Sequence, residues 1–154
     1  MAVAQLGSEH KGYINWLMTH PDVYPTISDD GSPPVEEYEA DLDSGFFLST
    51  APGNLFIFTP YCYRVYSMHS CILPEARGPG SVKAARECIK WMFEKGGAVK
   101  IVGVVCDSDP RAQKFALKIG FNQEGRYKKS FIRGGVLQDL IIYGQEAETC
   151  QQQR

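Results

Sequence analysis

Between Ser81 and Gly97 the apolar positions recur at helical intervals. Val82, Ala85, Ile89 and Met92 are spaced 3, 4 and 3, with Ala84, Cys88 and Phe93 alongside. Lys83, Arg86, Glu87, Lys90 and Glu94 fill the other side, so the segment reads as one amphipathic helix. Gly96-Gly97 gives it a natural C-terminal stop. Val99 to Cys106 (VKIVGVVC) is apolar on both faces, as a strand covered on both sides must be. Asp109-Pro110 predicts an N-cap followed by proline at the first helical position. That helix runs through Ala112, Phe115, Ala116 and Ile119 and stops at Gly120.

On either side of this block the period shortens. Phe46-Phe47-Leu48 and Leu55-Phe56-Ile57-Phe58 are aromatic β-type runs joined by Ala51-Pro52-Gly53-Asn54, which predicts a hairpin. Tyr63 to Leu73 (YRVYSMHSCIL) reads as a longer strand closed by Pro74. Gly125 to Phe131 and Val136 to Tyr143 flank Arg133-Gly134-Gly135, a second hairpin. The N-terminal third is less regular. Glu9 to His20 puts Tyr13, Trp16, Leu17 and His20 on one side of a helix, with Ser8 as its cap and Pro21 as its end. Asp29-Asp30-Gly31-Ser32-Pro33-Pro34 is a turn by composition, and Val35 to Leu42 reads as a short acidic helix. The order helix, hairpin, strand, helix, strand, helix, hairpin points to a mixed α/β sheet, with a crossover helix between two parallel central strands.

The 154 residues suit one domain, assigned to 1–145, with a polar, flexible tail over 146–154. A net charge of −2 leaves no overall electrostatic footprint for nucleic acid or an anionic membrane. No apolar run approaches the ~18–20 residues that span a bilayer, and Met1 to His10 lacks the basic start and apolar core of a signal peptide. The five cysteines, at 62, 71, 88, 106 and 150, are odd in number and never spaced C-x-x-C. They read as reduced, mostly buried residues of a cytoplasmic protein, with no metal-ligand spacing among them.

Chemistry concentrates in Cys71 to Ala85, C-I-L-P-E-A-R-G-P-G-S-V-K-A-A. A strand leads into a glycine-rich turn that opens an amphipathic helix. Free amides at such a helix start, with the positive dipole end behind them, form an anion site. Gly78 and Gly80 permit close approach of a phosphate to the backbone, and Arg77 and Lys83 add charge. Neither G-x-x-x-x-G-K-[ST] nor G-x-G-x-x-G is present. A loop whose glycines serve only to turn the chain is the plain alternative.

The segment resembles motif A of the GNAT N-acetyltransferase superfamily, [QR]-x-x-G-x-[GA], with Arg77, Gly80 and Val82 on its marked positions. Pro74 to Gly78 resembles the family's P-x-x-R-G run. Ser108 to Arg126 (SDPRAQKFALKIGFNQEGR) resembles motif B, N-x-x-A-x-x-x-x-x-K-x-G-F-x-x-E-G. The closing R-G-G-V-L-Q-D-L-I-I-Y-G is similar to the ribosomal-protein and amino-group acetyltransferase branch, and T-H-P-D-V-Y-P resembles the N-termini of short phage-encoded members. Three positions depart from the pattern. Val82 replaces a small residue, Asp109 replaces the usual Asn, and Ala116 stands where many members carry the tyrosine that protonates the departing thiolate.

The resemblance implies a mostly antiparallel α/β sheet with one parallel, splayed strand pair and flanking helices, and acetyl-CoA as co-substrate without a metal. Cys71, Ile72 and Leu73 would pair with the pantetheine arm through their backbones. The stretch Arg77, Gly78, Pro79, Gly80, Ser81, Val82 and Lys83 would hold the pyrophosphate. Asp109, Phe115 and Lys118 would flank the pantetheine. It implies direct attack by a primary amine of a protein or small molecule, with general-base assistance and no covalent enzyme intermediate. His69 is the first candidate base and Glu75 the second, and Tyr127 or Tyr63 could supply a proton in place of the absent tyrosine. The alternative is a GNAT-fold module that binds acyl-CoA or a protein without turnover. Partners are then acetyl-CoA and the amine acceptor, with no nucleic acid or membrane, in a monomer or homodimer. Asp22, Asp29, Asp30, Glu36, Glu37 and Glu39 give the acceptor side an acidic bias that would steer a cationic acceptor.

Overall fold

The structure is a computed structural model that describes residues 2–148. Its centre is one seven-stranded sheet in the order β1-β2-β3-β4-β5-β7-β6. The strands are β1 (Ala4–Gln5), β2 (Phe46–Ser49), β3 (Asn54–Cys62), β4 (Val65–Ile72), β5 (Lys100–Cys106), β6 (Asn122–Arg133) and β7 (Val136–Glu146). Every neighbouring pair is antiparallel except β4 and β5, which are parallel. The helix that must return the chain between them is α3 (Pro79–Glu94). The remaining helices are α1 (Lys11–Met18), the four-residue α2 (Tyr24–Ile27) and α4 (Pro110–Lys118). This is the mixed, mostly antiparallel architecture expected from the sequence.

Both faces of the sheet are covered at β3, which is why Leu55 to Phe58 is apolar at every position. Successive side chains of a strand point to opposite faces. Phe56 and Phe58 join Met68, Cys88, Met92 and Ile101 on the α3–α4 face. Leu55 and Ile57 join Ile14, Leu17, Phe47 and Cys71 on the α1 face. Leu17 is fully buried, so its truncation to Ala costs about 2–5 kcal/mol.

The N-terminal third departs from the sequence reading in four ways. The strand β1 is only two residues long and carries no periodic signal. The buried face of α1 is Ile14, Leu17 and Met18, and Trp16 is 53% exposed, so the stripe is rotated from the expected one. Ser8 does not cap α1; a 3₁₀ turn over Ser8–His10 leads into it, and the Gly7 N–H donates to His10 Nδ1 at 3.3 Å. The acidic helix over 35–42 is replaced by two 3₁₀ turns, Val35–Glu37 and Leu42–Ser44. Its carboxylates lack cationic partners at helical spacing, and the Ala40 N–H donates to Asn15 Oδ1 at 2.8 Å instead of closing a helical turn. At the other end, β7 runs to Glu146, paired with Lys100. Residues 149–154 of the proposed tail, Cys150 among them, lie outside the described residues.

Candidate active site

The central feature is a wedge between the two parallel strands. β4 and β5 pair only at Val65↔Lys100, Tyr66↔Ile101 and Ser67↔Val102. Beyond these, β4 stays with β3 as far as Ile72, and β5 stays with β7 as far as Cys106. The Leu73 N–H donates to the Gly53 carbonyl at 2.9 Å, on the β3 side. The β4 strand has no bulge between Val65 and Ile72, so its backbone groups alternate strictly from there. Cys71 and His69 therefore spend their backbone groups on β3. Met68, Ser70 and Ile72 turn theirs toward the wedge. Of the expected trio, only Ile72 faces it; Cys71 and Leu73 are one residue out of step, and the Leu73 carbonyl accepts the Ala76 N–H at 2.9 Å. The Ile72 carbonyl accepts Arg77 Nε at 3.3 Å, leaving its N–H.

Because the strands are parallel, the helices that follow them both start at the open end of the wedge, and their positive dipole ends flank it. At the α3 start Gly78 has φ +110°, a conformation that favours glycine. A Cβ placed on Gly78 or Gly80 would meet no protein atom within 4 Å, so the ground before both backbones is open. The Ser81 and Val82 N–H groups donate to the Gly78 carbonyl at 3.0 and 3.3 Å, and the Arg77 N–H donates to Pro74 at 3.3 Å. Pro79 has no N–H. The uncommitted amides of the turn are those of Gly78 and Gly80. The Ser81 hydroxyl is buried and donates to the Gly78 carbonyl at 2.7 Å, which removes it from any phosphate. Arg77 is an internal tie as well, with Nη2 donating to the Asp22 carbonyl at 3.1 Å. Val82 is half-buried on the α3–α4 core, and Lys83 is exposed.

Lys83, expected at the phosphates, lines one open groove with Pro79, Val82, Arg86, Glu87 and Lys90, the last three of which the sequence marks only as the polar side of α3. Arg86 Nε also donates to the Lys118 carbonyl at 3.0 Å, a cation on the last turn of α4 that binds the two helices together. Asp109 caps α4, accepting the Ala112 N–H at 3.1 Å. Phe115 packs on the core, Lys118 is exposed, and Ala116 is buried.

On the α1 face, over β3 and β4, lies a cavity of about 220 Å³. His69 and Cys71 form part of its floor, Tyr24 and Tyr38 its aromatic wall, and Asp41 and Thr59 contribute polar atoms. His69 is exposed at the cavity floor, and the desolvation it still feels there lowers its pKa, favouring the neutral ring. No hydrogen bond within the described residues occupies that ring. Burial pushes the Cys71 and Cys88 thiols up to about 12, so both are inert core residues. Burial likewise raises the Tyr38 hydroxyl to about 12. Glu75 is exposed on the 3₁₀ turn Pro74–Ala76 and does not line the cavity. Of the two tyrosines considered as proton donors, Tyr63 is 89% exposed, and Tyr127 is hydrogen-bonded to Tyr61. Among the described residues no group of three His, Cys, Asp or Glu is placed to hold a metal ion, and no helix is long and apolar enough to cross a membrane.

The acidic loop has another use than steering. The Asp30 carboxylate accepts the Gly134 and Gly135 N–H groups, each at 2.8 Å, and these bonds lower its pKa. Arg133 donates to the Ser28 carbonyl at 3.1 and 2.8 Å. Asp29 accepts the Gly31 N–H at 2.9 Å, and Glu39 pairs with Lys11 at 2.5 Å. The loop and the tip of the β6–β7 hairpin are thereby latched into one wall through Asp30 and Arg133, while Asp29 is spent within the loop and Glu39 on α1.

No protein-family model matches the chain, and no curated protein matches it. Solved structures do. A spermidine N-acetyltransferase from Vibrio cholerae, in complex with CoA and spermine, is 18% identical over 94% of both chains, with a TM-score of 0.74. A ribosomal-protein-S5-alanine acetyltransferase from Vibrio fischeri is 16% identical over 95% of this chain and 92% of that one, at 0.76. A GNAT-family acetyltransferase from Bacillus anthracis is 17% identical over 94% and 93%, at 0.73. The fold of this chain is the GNAT acetyltransferase fold.

Proposed function

We propose that this chain is an acetyl-CoA-dependent N-acetyltransferase acting on a primary amine. The observation that carries the reading is the wedge, which opens between a glycine turn with two unspent amides and a cavity floored by a neutral histidine. Its residues fit acetyl-CoA. Met68, Ser70 and the Ile72 N–H offer a strand edge to an extended amide-bearing arm. Gly78 and Gly80 offer amides to the pyrophosphate, and Lys83 and Lys90 offer charge to the remaining phosphate, beside Arg86, which is tied to the Lys118 carbonyl.

Acetyl-CoA supplies an activated acyl group; the new C–N bond forms as the C–S bond breaks. The chain's part is to position and to move a proton. His69, neutral because desolvation disfavours its charged form, accepts the proton that the amine nitrogen loses. Ala116 gives the leaving sulfur no donor, so its proton comes from solvent or from another group at the wedge. Ala116 is also the feature that favours the second reading, a GNAT-fold module that binds acyl-CoA without turnover. Release of free thiol from acetyl-CoA, followed with a panel of primary amines, separates the two: amine-dependent release supports the enzyme, and binding without release supports the module.

A further inference from the structure

We propose that the cavity over His69 receives a compact, largely apolar primary amine with a single positive charge, and neither a polyamine nor a protein terminus. This rests on the acetyltransferase reading, because His69 is what makes the cavity an acceptor site. Volume is the first ground. At about 220 Å³ the cavity lies below the roughly 300–1,000 Å³ of pockets for drug-sized ligands, so it holds a small molecule.

The lining is the second ground. Met18, Ile27, Phe47 and Ile57 present hydrocarbon, and Tyr24 and Tyr38 meet edge to face at 5.7 Å as an aromatic wall. Both tyrosine hydroxyls are already committed, Tyr24 to the Pro33 carbonyl and Tyr38 to Met18 Sδ, so the rings offer carbon and not polar atoms. Such a wall suits an alkyl or aryl group, and its ring faces suit an ammonium in passage.

Charge is the third ground. Asp41 is the one carboxylate on the cavity lining. Of the other acids of the region, Asp29 and Asp30 are held by the loop and hairpin and Glu39 by Lys11, while Glu36 and Glu37 are exposed and do not line the cavity. A polyamine carries several ammonium groups, and burying the second and third here would leave them unpaired, which is costly. A monoamine satisfies the single carboxylate and delivers its nitrogen to His69.

The test is a substrate series with the full chain and saturating acetyl-CoA. Across n-alkylamines from methyl to hexyl, kcat/KM rises about fourfold per methylene until the cavity is filled. Phenethylamine exceeds spermidine and an alanyl peptide by at least about 100-fold. D41N keeps an oxygen to accept the Asp43 N–H, and raises the KM for phenethylamine by up to about fivefold at constant KM for acetyl-CoA. Preference for spermidine or the peptide, or a flat alkyl series, overturns the assignment. Should no amine be acetylated, NMR of the His69 ring still decides: displacement of its signals by phenethylamine but not by spermidine upholds the ligand class and rejects the enzyme reading. No displacement by phenethylamine rejects the ligand class itself.

Discussion

The turn before α3 and the acidic loop after α1 look alike as sequence: each is a short, glycine-containing segment with concentrated charge. In the fold they are opposites. The turn leaves the amides of Gly78 and Gly80 without partners and the space before them empty. The loop spends Asp29 on its own backbone and Asp30 on two hairpin amides. Residue type marked both as candidate sites; commitment of the groups separates a binding surface from a structural latch. An unspent donor at a helix start is available to an anion, whereas a carboxylate holding two amides has little left for a passing cation.

The largest effect expected belongs to His69. His69→Ala lowers kcat by about 10²–10⁴ and leaves the acetyl-CoA Kd unchanged, as read by steady-state thiol release and calorimetry. The pH profile sharpens this. A lowered pKa keeps the ring neutral below the ordinary histidine value of about 6.5, so the acid limb of kcat/KM lies below that pH and vanishes in the variant. Equal rates in variant and parent would move the base elsewhere, with Glu75 next to be tested. A smaller effect belongs to the turn. In Gly80→Val the side chain enters open space, so the fold persists by circular dichroism. Losing a hydrogen bond to a charged group costs about 1.5–3 kcal/mol, which weakens acetyl-CoA about 10- to 100-fold.

The loop should answer differently. Asp30→Ala releases the Gly134 and Gly135 amides, whose hydrogen exchange accelerates, while acetyl-CoA affinity holds. The same release occurs in the parent as pH falls through the lowered pKa of Asp30, since protonation removes an acceptor that the folded chain holds charged. Reversing the exposed Glu36 and Glu37 to lysine has the least effect: kcat/KM changes by less than about twofold, and its salt dependence stays as it was. A large, salt-sensitive fall would restore electrostatic steering as the loop's role.

The elements with a long apolar period were legible in the sequence. The stripe of α3, the strand β5 and the proline-marked start of α4 stand where their patterns put them, although β5 is covered on one face only, with Val104 46% exposed on the other. The short elements were not. β1 is set by pairing with β2, and the 35–42 segment by Asn15 reaching its backbone, both decided by residues distant in sequence. The site shows the same division. The strand–turn–helix unit was visible, but which edge of β4 faces the wedge depends on the Leu73–Gly53 bond. Arg77 read as a phosphate ligand because its two carbonyl partners, Ile72 and Asp22, meet only in the fold. Arg86 and Lys90 were legible only as part of the polar side of α3, because nothing in a helical period tells a groove from a convex surface.

Calorimetric titration of the parent chain with acetyl-CoA, without added metal, tests the central claim most directly. The unspent amides and basic groove predict one site with a roughly micromolar Kd, about −8 kcal/mol, weakened in Gly80→Val. An absence of heat up to millimolar acetyl-CoA would contradict the account, leaving the wedge without its ligand.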